Sequence, residues 1–275
     1  MITTHLMGGL GNQLFQIFNC IAYAIRHQEQ FKLPIIKQDL KSAEGHDRPT
    51  YWNTFLKRLR PFLIDNIDKK LPTYQEPTFH YTEIPEIKNQ TFLFSGYYTS
   101  YKYFEDNFAT IKKMIGIEGL KNNLREKFGF NDCISMHFRH GDYKNIQDSH
   151  PMASNQYYID AIEHIISKTN KDNWRILYFC EEQDNAAINI KIKILKRRFK
   201  NLKFIKGDDK LADWQQMLSM SCCEHNIIAN STFSWWGAYF NDNKGKTVCY
   251  PSQWFGPKLA DKNTKDICPE EWVSI

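Results

Sequence analysis

Residues 133–138, CISMHF, begin a stretch in which short apolar runs alternate with longer amphipathic ones. The runs that follow are NQYYIDAIEHII (155–166), RILYFC (175–180), DNAAINIKIKILKRRF (184–199), LKFIK (202–206) and NIIA (226–229). The short runs fit buried parallel strands, and the longer runs place apolar residues at helical spacing. Repeated strand–helix–strand units predict an α/β protein with a doubly wound parallel sheet in this half of the chain.

The first half of the chain opens with a strand, a glycine-rich turn and a helix, in ITTHLMGGLGNQLFQIF (2–18). Between about residues 45 and 105 the sequence is richer in Pro, Tyr and Phe and less periodic, which favours helices and long loops with a strand near TFLFSGYY (91–98). We therefore predict two lobes, one over residues 1–130 and the other over residues 131–275.

The composition is that of a folded soluble protein, with 42% apolar and 24% charged residues among 275 and a formal net charge of +5. The seven cysteines include no Cys-x-x-Cys pair, which favours reduced thiols over a disulfide framework or a zinc site. No stretch is apolar enough to span a membrane, and no secretory signal is visible. The basic stretches fit solvated helix faces better than a nucleic-acid patch. We expect a cytoplasmic protein with no membrane span and no nucleic-acid partner.

Gly8, Gly9 and Gly11 lie where the first strand meets the first helix. A helix N-terminus offers unpaired N–H groups and the positive end of the helix dipole, and glycine allows a phosphate to approach them. The dinucleotide motif needs a third glycine where this chain has Leu14, and no Walker-type Lys-Ser or Lys-Thr pair follows. A plain tight turn and an anion-binding loop both fit these glycines.

The segment CISMHFRHGDYKN (133–145) places His137, Arg139, His140 and Asp142 where a predicted strand ends. Ligands of open α/β sheets bind beyond the carboxyl ends of the strands. An arginine there can hold a pyrophosphate through several charge-assisted hydrogen bonds at once. Asp142 would fix that guanidinium or cap the next segment, and a purely structural Arg–Asp pair is the alternative.

The segment HNIIANSTFSWWGAYF (225–240) runs from a buried strand into Asn230, Ser231, Thr232 and Ser234 at the start of a helix. Small hydroxyls at this place cap helices. Together with the helix N–H groups they also form a second candidate anion site.

Acidic residues follow two further predicted elements. Asp213 begins a helix, where it is either a cap or a carboxylate that accepts N–H bonds from a guanine edge. Glu181, Glu182 and Asp184 follow the strand RILYFC, and they are either ribose ligands or surface acids at a helix start. The chain has no Asp-x-Asp, the motif by which many glycosyltransferases bind a metal-complexed nucleotide, so we expect metal-free chemistry.

Three motifs, GGLGNQLFQ (8–16), HFRHGDY (137–143) and IIANSTFSWWGA (227–238), resemble in order and separation those of the α-1,2-fucosyltransferases of glycosyltransferase family 11. The resemblance covers nearly the whole chain. It implies a GT-B-like arrangement of two Rossmann-type lobes with a donor-binding cleft between them, the N-terminal lobe on the acceptor side and the C-terminal lobe binding GDP-fucose. The absence of an anchor, unlike the Golgi relatives, suggests a bacterial or viral origin.

The activity that the resemblance implies is transfer of L-fucose from GDP-β-L-fucose, with inversion, to a sugar hydroxyl such as the 2-OH of a terminal β-galactoside. GDP-fucose is the donor substrate, a glycan is the acceptor, and no metal or other cofactor is expected. By the same resemblance, Arg139 and Asn12 are the catalytic residues. The expected substrate-binding residues are Gly9, Gly11, Asn12, His137, Arg139, Asp213, Ser231, Thr232 and Phe233.

The chain departs from the family pattern at two places. His140 stands where a second arginine is common, and Cys180-Glu181-Glu182 replaces the usual Ser-Asp/Asn-Asp. The sequence does not single out a catalytic base among His140, Asp142 and Asp148, and a dissociative reaction would need none.

Rival functions remain open at this point. They are a transferase with another GDP-sugar or another acceptor, a sugar- or nucleotide-binding module without turnover, and a dinucleotide-dependent oxidoreductase. The broken glycine motif disfavours the oxidoreductase.

Overall fold

The computed structural model describes residues 1–36, 40–41, 47–65, 67–68 and 70–275. These residues divide into two compact units. The N-terminal unit comprises Met1–Gly119 and Lys262–Pro269, and the C-terminal unit comprises Leu120–Asp261 and Glu270–Ile275. The division at Gly119 lies earlier than the boundary near residue 130 suggested by the sequence.

The N-terminal unit also includes a short segment close to the C-terminus of the chain. Asp266 explains this membership, because its carboxylate accepts a hydrogen bond from the Tyr81 N–H at 3.2 Å and pairs with Lys102 Nζ at 2.6 Å. Both partners belong to the N-terminal unit. These long-range contacts leave no periodic signal in the sequence.

The strands of the N-terminal unit form small sheets. They are β1 (Ile2–Thr4), β2 (Leu33–Pro34), β3 (Leu40–Lys41), β4 (Asp47–Arg48), β5 (Leu63–Ile64), β6 (Thr73–Gln75) and β7 (Phe92–Ser95). The largest sheet has the order β1-β7-β6 with all strands parallel. β2 pairs with β5 in parallel, and β3 pairs with β4 antiparallel. The strand predicted near TFLFSGYY is β7.

The main helices of the N-terminal unit are α1 (Leu10–Arg26), which follows the glycines as predicted, and α2 (Phe108–Ile115). Three short 3-10 helices accompany them, Lys57–Phe62, Tyr101–Tyr103 and Glu105–Asn107. α1 packs against an aromatic cluster, with Phe18 and Phe104 in edge contact at 5.3 Å between ring centroids. The boundary between the two units falls within α3 (Ile117–Lys127), between Gly119 and Leu120.

The C-terminal unit alternates strands and helices along the chain. Its elements are β8 (Cys133–His137), α4 (Asn155–Thr169), β9 (Arg175–Phe179), α5 (Asn185–Arg198), β10 (Lys203–Lys206), α6 (Asp213–Ser221), β11 (His225–Ile227), α7 (Thr232–Tyr239), β12 (Val248–Tyr250) and β13 (Val273–Ser274). Short 3-10 helices span Gly141–Asn145, Glu182–Asp184 and Pro257–Leu259.

All six strands of the C-terminal unit form one parallel sheet in the order β10-β9-β8-β11-β12-β13. Strands β8, β9 and β10 therefore follow one another toward one edge of the sheet. The chain then crosses back, and β11, β12 and β13 follow one another toward the opposite edge. This is the strand order of a Rossmann-type doubly wound sheet, and its topological switch point lies between β8 and β11. The predicted α/β class and doubly wound sheet are confirmed for this unit.

Two lysines fix the C-terminal end of α7. The fully buried Lys121 donates from Nζ to the Phe240 carbonyl and to Asp242, both at 2.7 Å, and Lys246 Nζ donates to the Ala238 carbonyl at 3.0 Å. Ammonium groups at this end satisfy carbonyls that have no partner within the helix and complement the helix dipole. They hold in place the helix whose other end lies at the switch point.

Candidate active site

Two predicted motifs meet at the switch point of the C-terminal sheet. β11 pairs directly with β8, with Ile227 opposite Met136. Because the two strands are parallel, the segments that follow them leave the same edge of the sheet. HFRHGDY begins at His137, the last residue of β8, and NSTF follows β11. The structure therefore brings His137, Arg139, Ser231, Thr232 and Phe233 to one edge.

Arg139 is a mostly buried cation held by three neighbours. Its guanidinium donates to Asp142 and to Glu181, and its Cζ lies 4.8 Å from the centre of the Tyr143 ring. The side chain is 16% exposed. Burial alone would lower the Arg139 pKa, but Tyr143, Asp142 and Glu181 together outweigh it and raise the pKa. The guanidinium has more N–H groups than the two carboxylates occupy, so it can also bind an anion.

The acids after β9 are engaged within the protein. Glu181 pairs with Arg139, and the buried Asp184 pairs with Lys144 and accepts the Gly141 N–H at 2.7 Å. Burial would raise the Asp184 pKa, but these two donors and nearby charges lower it, so its carboxylate stays ionised. Their expected role as ribose ligands stays a prediction. Their observed role is to hold the loop that follows Arg139.

Gly141 turns this loop through a left-handed conformation with φ +40°. A Cβ at this position would lie 2.6 Å from Glu181 Oε1 and 3.0 Å from an Nη atom of Arg139. We expect Gly141→Ala to cost about 1–2 kcal/mol of unfolding free energy because of backbone strain, and to lower the activity of this site about tenfold because Arg139 is displaced. Thermal unfolding and initial rates measure both effects.

Gly129→Ala is the matched control for that variant, since a Cβ at Gly129 meets nothing within 4 Å. Equal unfolding temperatures and equal rates for Gly141→Ala and Gly129→Ala would show that the loop tolerates a side chain next to Arg139.

His137 is a buried neutral imidazole. Burial, followed by the positive charges of Arg139 and Lys206, lowers its pKa to about 3. Its ring lies 5.5 Å from that of Phe233, centroid to centroid, which joins the segments after β8 and β11. Within the described part of the chain, its Nδ1 is buried without a hydrogen-bond partner. At neutral pH this histidine therefore offers hydrogen bonding without charge.

The buried His140, which stands where the resemblance implies a second arginine, also has a lowered pKa because of burial. Lys191 adds to this effect. His140 is therefore not a ready substitute for a permanently charged guanidinium.

The start of α7 differs from the expected capping pattern. Ser231 is the N-cap residue, but its side chain makes no capping hydrogen bond. The Oγ of Ser234 accepts the Ala229 N–H at 3.3 Å. Asn230 anchors the loop by donating to the carbonyls of Pro151 at 2.9 Å and Trp254 at 3.0 Å.

Asp213 lies at the N-terminus of α6, a helix that packs against α7. It is exposed, begins α6 after the edge strand β10, and accepts the Trp214 N–H at 2.7 Å. Asp213 therefore lies at a helix start as predicted, but the N-cap residue is Ala212. Its expected contact with guanine stays a prediction.

Gly9, Gly11 and Asn12 belong to the N-terminal unit, where Gly9 is the N-cap residue of α1. Gly8, at φ +72°, makes the turn before them. Two glutamines that sequence reasoning did not single out hold this turn. Gln13 donates to the carbonyls of Gly8 at 3.0 Å and Pro49 at 2.9 Å, and Gln16 accepts the Met7 N–H at 2.9 Å. Their spacing of three residues within GNQLFQ is the sequence signal that could have revealed them.

A second feature missed from the sequence is the carboxyl of Glu76. It follows β6 and accepts the Tyr97 N–H at 2.8 Å, next to Gly96 and Tyr98, which both have positive φ angles. Burial raises the pKa of Glu76 to about 7, although the backbone N–H groups of Tyr98 and Tyr97 and the charge of Lys262 oppose the shift. This group titrates near neutrality at the carboxyl end of the N-terminal sheet.

Neither a metal-binding cluster nor a membrane-spanning helix is present among the residues that the structure describes. No cluster of three or more His, Cys, Asp or Glu side chains there could hold a metal ion. Within the same residues, no helix has the length and apolar character needed to cross a membrane.

Comparison with known proteins gives a consistent set of similarities. The model of Glycosyl transferase family 11 matches residues 1–275. The Escherichia coli protein named alpha-1,2-colitosyltransferase is 27% identical over 296 aligned positions, covering 100% of this chain and 99% of that protein. The O-antigen biosynthesis glycosyltransferase WbnK of Escherichia coli is 29% identical over 150 positions, covering 52% of this chain and 45% of that protein.

Among solved structures, the ADP-heptose LPS heptosyltransferase II of E. coli matches with a TM-score of 0.50 and 11% identity. The match covers 100% of this chain and 89% of that one. At this identity the likeness shows the fold alone. The GT-B fold class predicted from the sequence is confirmed.

Proposed function

Because the chain belongs to glycosyl transferase family 11, we propose that this glycosyltransferase transfers L-fucose from GDP-β-L-fucose to a sugar hydroxyl, with inversion and without a metal ion. The proposed acceptor is the 2-OH of a terminal β-galactoside. The product would then carry an α-1,2-linked fucose.

The observation that carries this proposal is the position of Arg139. Its guanidinium lies beyond the carboxyl end of β8 at the switch point, where doubly wound sheets bind nucleotides. The N-terminus of α7 begins beyond the neighbouring strand. A guanidinium and a helix N-terminus are both suited to a diphosphate.

The reaction follows from where charge develops. As the bond between fucose C1 and the β-phosphate oxygen breaks, its electron pair passes to that oxygen and GDP becomes more negative. Arg139 and the N–H groups of α7 stabilise this departing charge more than the ground state. One such donor contributes about 3–4 kcal/mol in comparable sites. The acceptor hydroxyl attacks C1 from the opposite face, which produces inversion, and it loses its proton as the new C–O bond forms, so the products are the α-linked glycoside, GDP and a proton.

The other residues at this edge bind the rest of the nucleotide in our proposal. His137 donates or accepts a hydrogen bond as a neutral imidazole, and Ser231 and Thr232 bind phosphate and ribose oxygens. Phe233 offers a half-buried ring beside His137. Asp213 binds the guanine edge in the same proposal, which also keeps Gly9, Gly11 and Asn12 as substrate-binding residues.

A second donor, GDP-colitose, is favoured by one finding, the full-length similarity to a protein named alpha-1,2-colitosyltransferase. Colitose is fucose without the 3-hydroxyl group. A site that hydrogen-bonds this hydroxyl rejects the deoxy sugar strongly, whereas a site that merely accommodates it discriminates weakly. The ratio of kcat/KM for GDP-fucose to kcat/KM for GDP-colitose therefore measures which donor the protein prefers.

The test is a transfer assay with both donors, in EDTA, against a panel of β-galactosides, with the linkage of the product read by NMR. We expect GDP release that depends on the acceptor and an α-1,2 product, at the same rate with and without EDTA. A higher kcat/KM for GDP-colitose would replace the donor in our proposal. GDP-sugar binding without transfer to any acceptor would favour a binding module.

A further inference from the structure

Tyr143 contacts both segments that form the switch-point site. It lies in the 3-10 helix Gly141–Asn145, and the Arg139 guanidinium lies over its ring at 4.8 Å. Its hydroxyl donates to the Asn230 carbonyl at 3.2 Å. His150 also packs on the ring, stacked at 4.8 Å between centroids with an angle of 24°.

The ring constrains the plane of the guanidinium. Asp142 and Glu181 accept hydrogen bonds from the edge of the Arg139 guanidinium. These edge contacts alone leave the plane of the guanidinium free to tilt about the line that joins them. A ring face beneath the guanidinium opposes that tilt by cation–π attraction and stacking. Tyr143 is also the first of the groups that raise the Arg139 pKa against the effect of burial.

The hydroxyl of Tyr143 fixes the second segment. Asn230 immediately precedes Ser231, the N-cap residue of α7, and its own amide is tied to Pro151 and Trp254. The Tyr143 hydrogen bond therefore joins a rigid loop after β11 to the loop after β8. One side chain thus sets the distance between the cation and the helix N-terminus.

We propose that Tyr143 is the positioning residue for Arg139, holding the guanidinium plane with its ring and the spacing to α7 with its hydroxyl. This inference rests on the proposed function only in that the anion bound there is the diphosphate of a GDP-sugar. Tyr143 itself touches neither the diphosphate nor the sugar. Its whole effect on the reaction passes through Arg139.

A double-mutant cycle measured by calorimetry with GDP alone tests this inference. We expect Tyr143→Leu to weaken GDP binding about tenfold in the wild-type background and less than twofold in the Arg139→Ala background. Tyr143→Phe keeps the ring and loses only the hydroxyl, so we expect a loss of about threefold. Tyr101→Leu is the control, since Tyr101 also lies near a cation, Lys102 at 5.9 Å, but in the N-terminal unit.

Two results would overturn the inference. The first is an equal loss of GDP affinity from Tyr143→Leu with and without Arg139, which would make Tyr143 a general support of the fold. The second is an affinity unchanged by Tyr143→Leu. Tyr143→Leu could lower the unfolding temperature far more than Tyr101→Leu does. In that case the same cycle is measured with Tyr143→Phe in place of Tyr143→Leu. We again expect the threefold loss of GDP affinity only in the background that retains Arg139.

The cycle uses neither fucose nor an acceptor, so it is separate from the test of the proposed function. A wild-type protein that binds GDP but transfers no fucose contradicts the proposed function. The double-mutant cycle then still tests whether Tyr143 positions Arg139, because it measures only GDP affinity. Absence of GDP binding in the wild-type protein contradicts both.

Discussion

Replacing Arg139 by alanine is expected to lower kcat for fucose transfer by about 10³-fold, the largest effect that we predict for a single substitution. The reason is that the negative charge of the departing GDP grows in the transition state, and Arg139 is the permanently charged group at the end of β8. Initial rates of GDP release at saturating donor and acceptor measure the effect. GDP affinity, measured in parallel, is expected to fall less than kcat.

Two further variants separate charge from geometry and from folding. Arg139→Lys keeps the charge but loses the planar fork, so we expect a loss of about 10²-fold. Arg198→Ala removes an exposed arginine that pairs with Glu163 and should change the rate little. Because Arg139→Ala leaves Asp142 and Glu181 without their cation, its unfolding temperature has to be compared with that of Arg139→Lys. A folded Arg139→Ala protein that keeps a tenth of the wild-type kcat would contradict our mechanism.

The second large effect is acid destabilisation of the C-terminal unit through His137. Burial holds the pKa of this imidazole at about 3, whereas the ordinary value is 6.5. Above pH 6.5 both folded and unfolded states carry a neutral imidazole, and the full stability is present. As the pH falls below 6.5, the unfolded state binds a proton that the folded state does not, so stability is lost until the pH reaches about 3. Each pH unit in this window costs about 1.4 kcal/mol of unfolding free energy.

Urea unfolding at pH 6.5 and pH 4.5, followed by tryptophan fluorescence, measures this loss. Trp235 and Trp236 are buried in the C-terminal unit and report on it. We expect the wild-type protein to lose about 2–3 kcal/mol more than His137→Gln, whose amide does not titrate. The lowered pKa values of His140 and His225 act in the same direction and remain in both proteins. Equal losses in both proteins would show that His137 is accessible to protons in the folded state.

Much of the C-terminal unit could be predicted from the sequence because its signals are local. The run CISMHF is short, apolar and β-prone, and the structure has β8 there, with α4 and α5 on the two helical patterns that follow. The place of Arg139 at the end of a strand followed from the same pattern. The strand order did not, since pairing of β8 with both β9 and β11 depends on contacts between distant parts of the chain.

The features that the sequence did not reveal all depend on tertiary contacts. The sequence left Glu181 and Asp184 as either ribose ligands or surface acids at a helix start, and did not reveal that they hold Arg139 and the Gly141 loop, which they do because β9 lies next to β8. Glu76 has a raised pKa because the fold buries it, while the Tyr97 N–H of the segment after β7 donates to it and opposes the shift. The hydroxyl of Ser231 was expected among the helix caps, but its side chain makes no such bond.

The central claim is that the diphosphate of a GDP-sugar binds to Arg139 and to the N-terminus of α7. A crystal structure of the protein with GDP tests it most directly. We predict a β-phosphate oxygen at about 3 Å from an Arg139 Nη atom and another at a similar distance from a backbone N–H at the start of α7. GDP bound at another place, with Arg139 still donating only to Asp142 and Glu181, would contradict the claim.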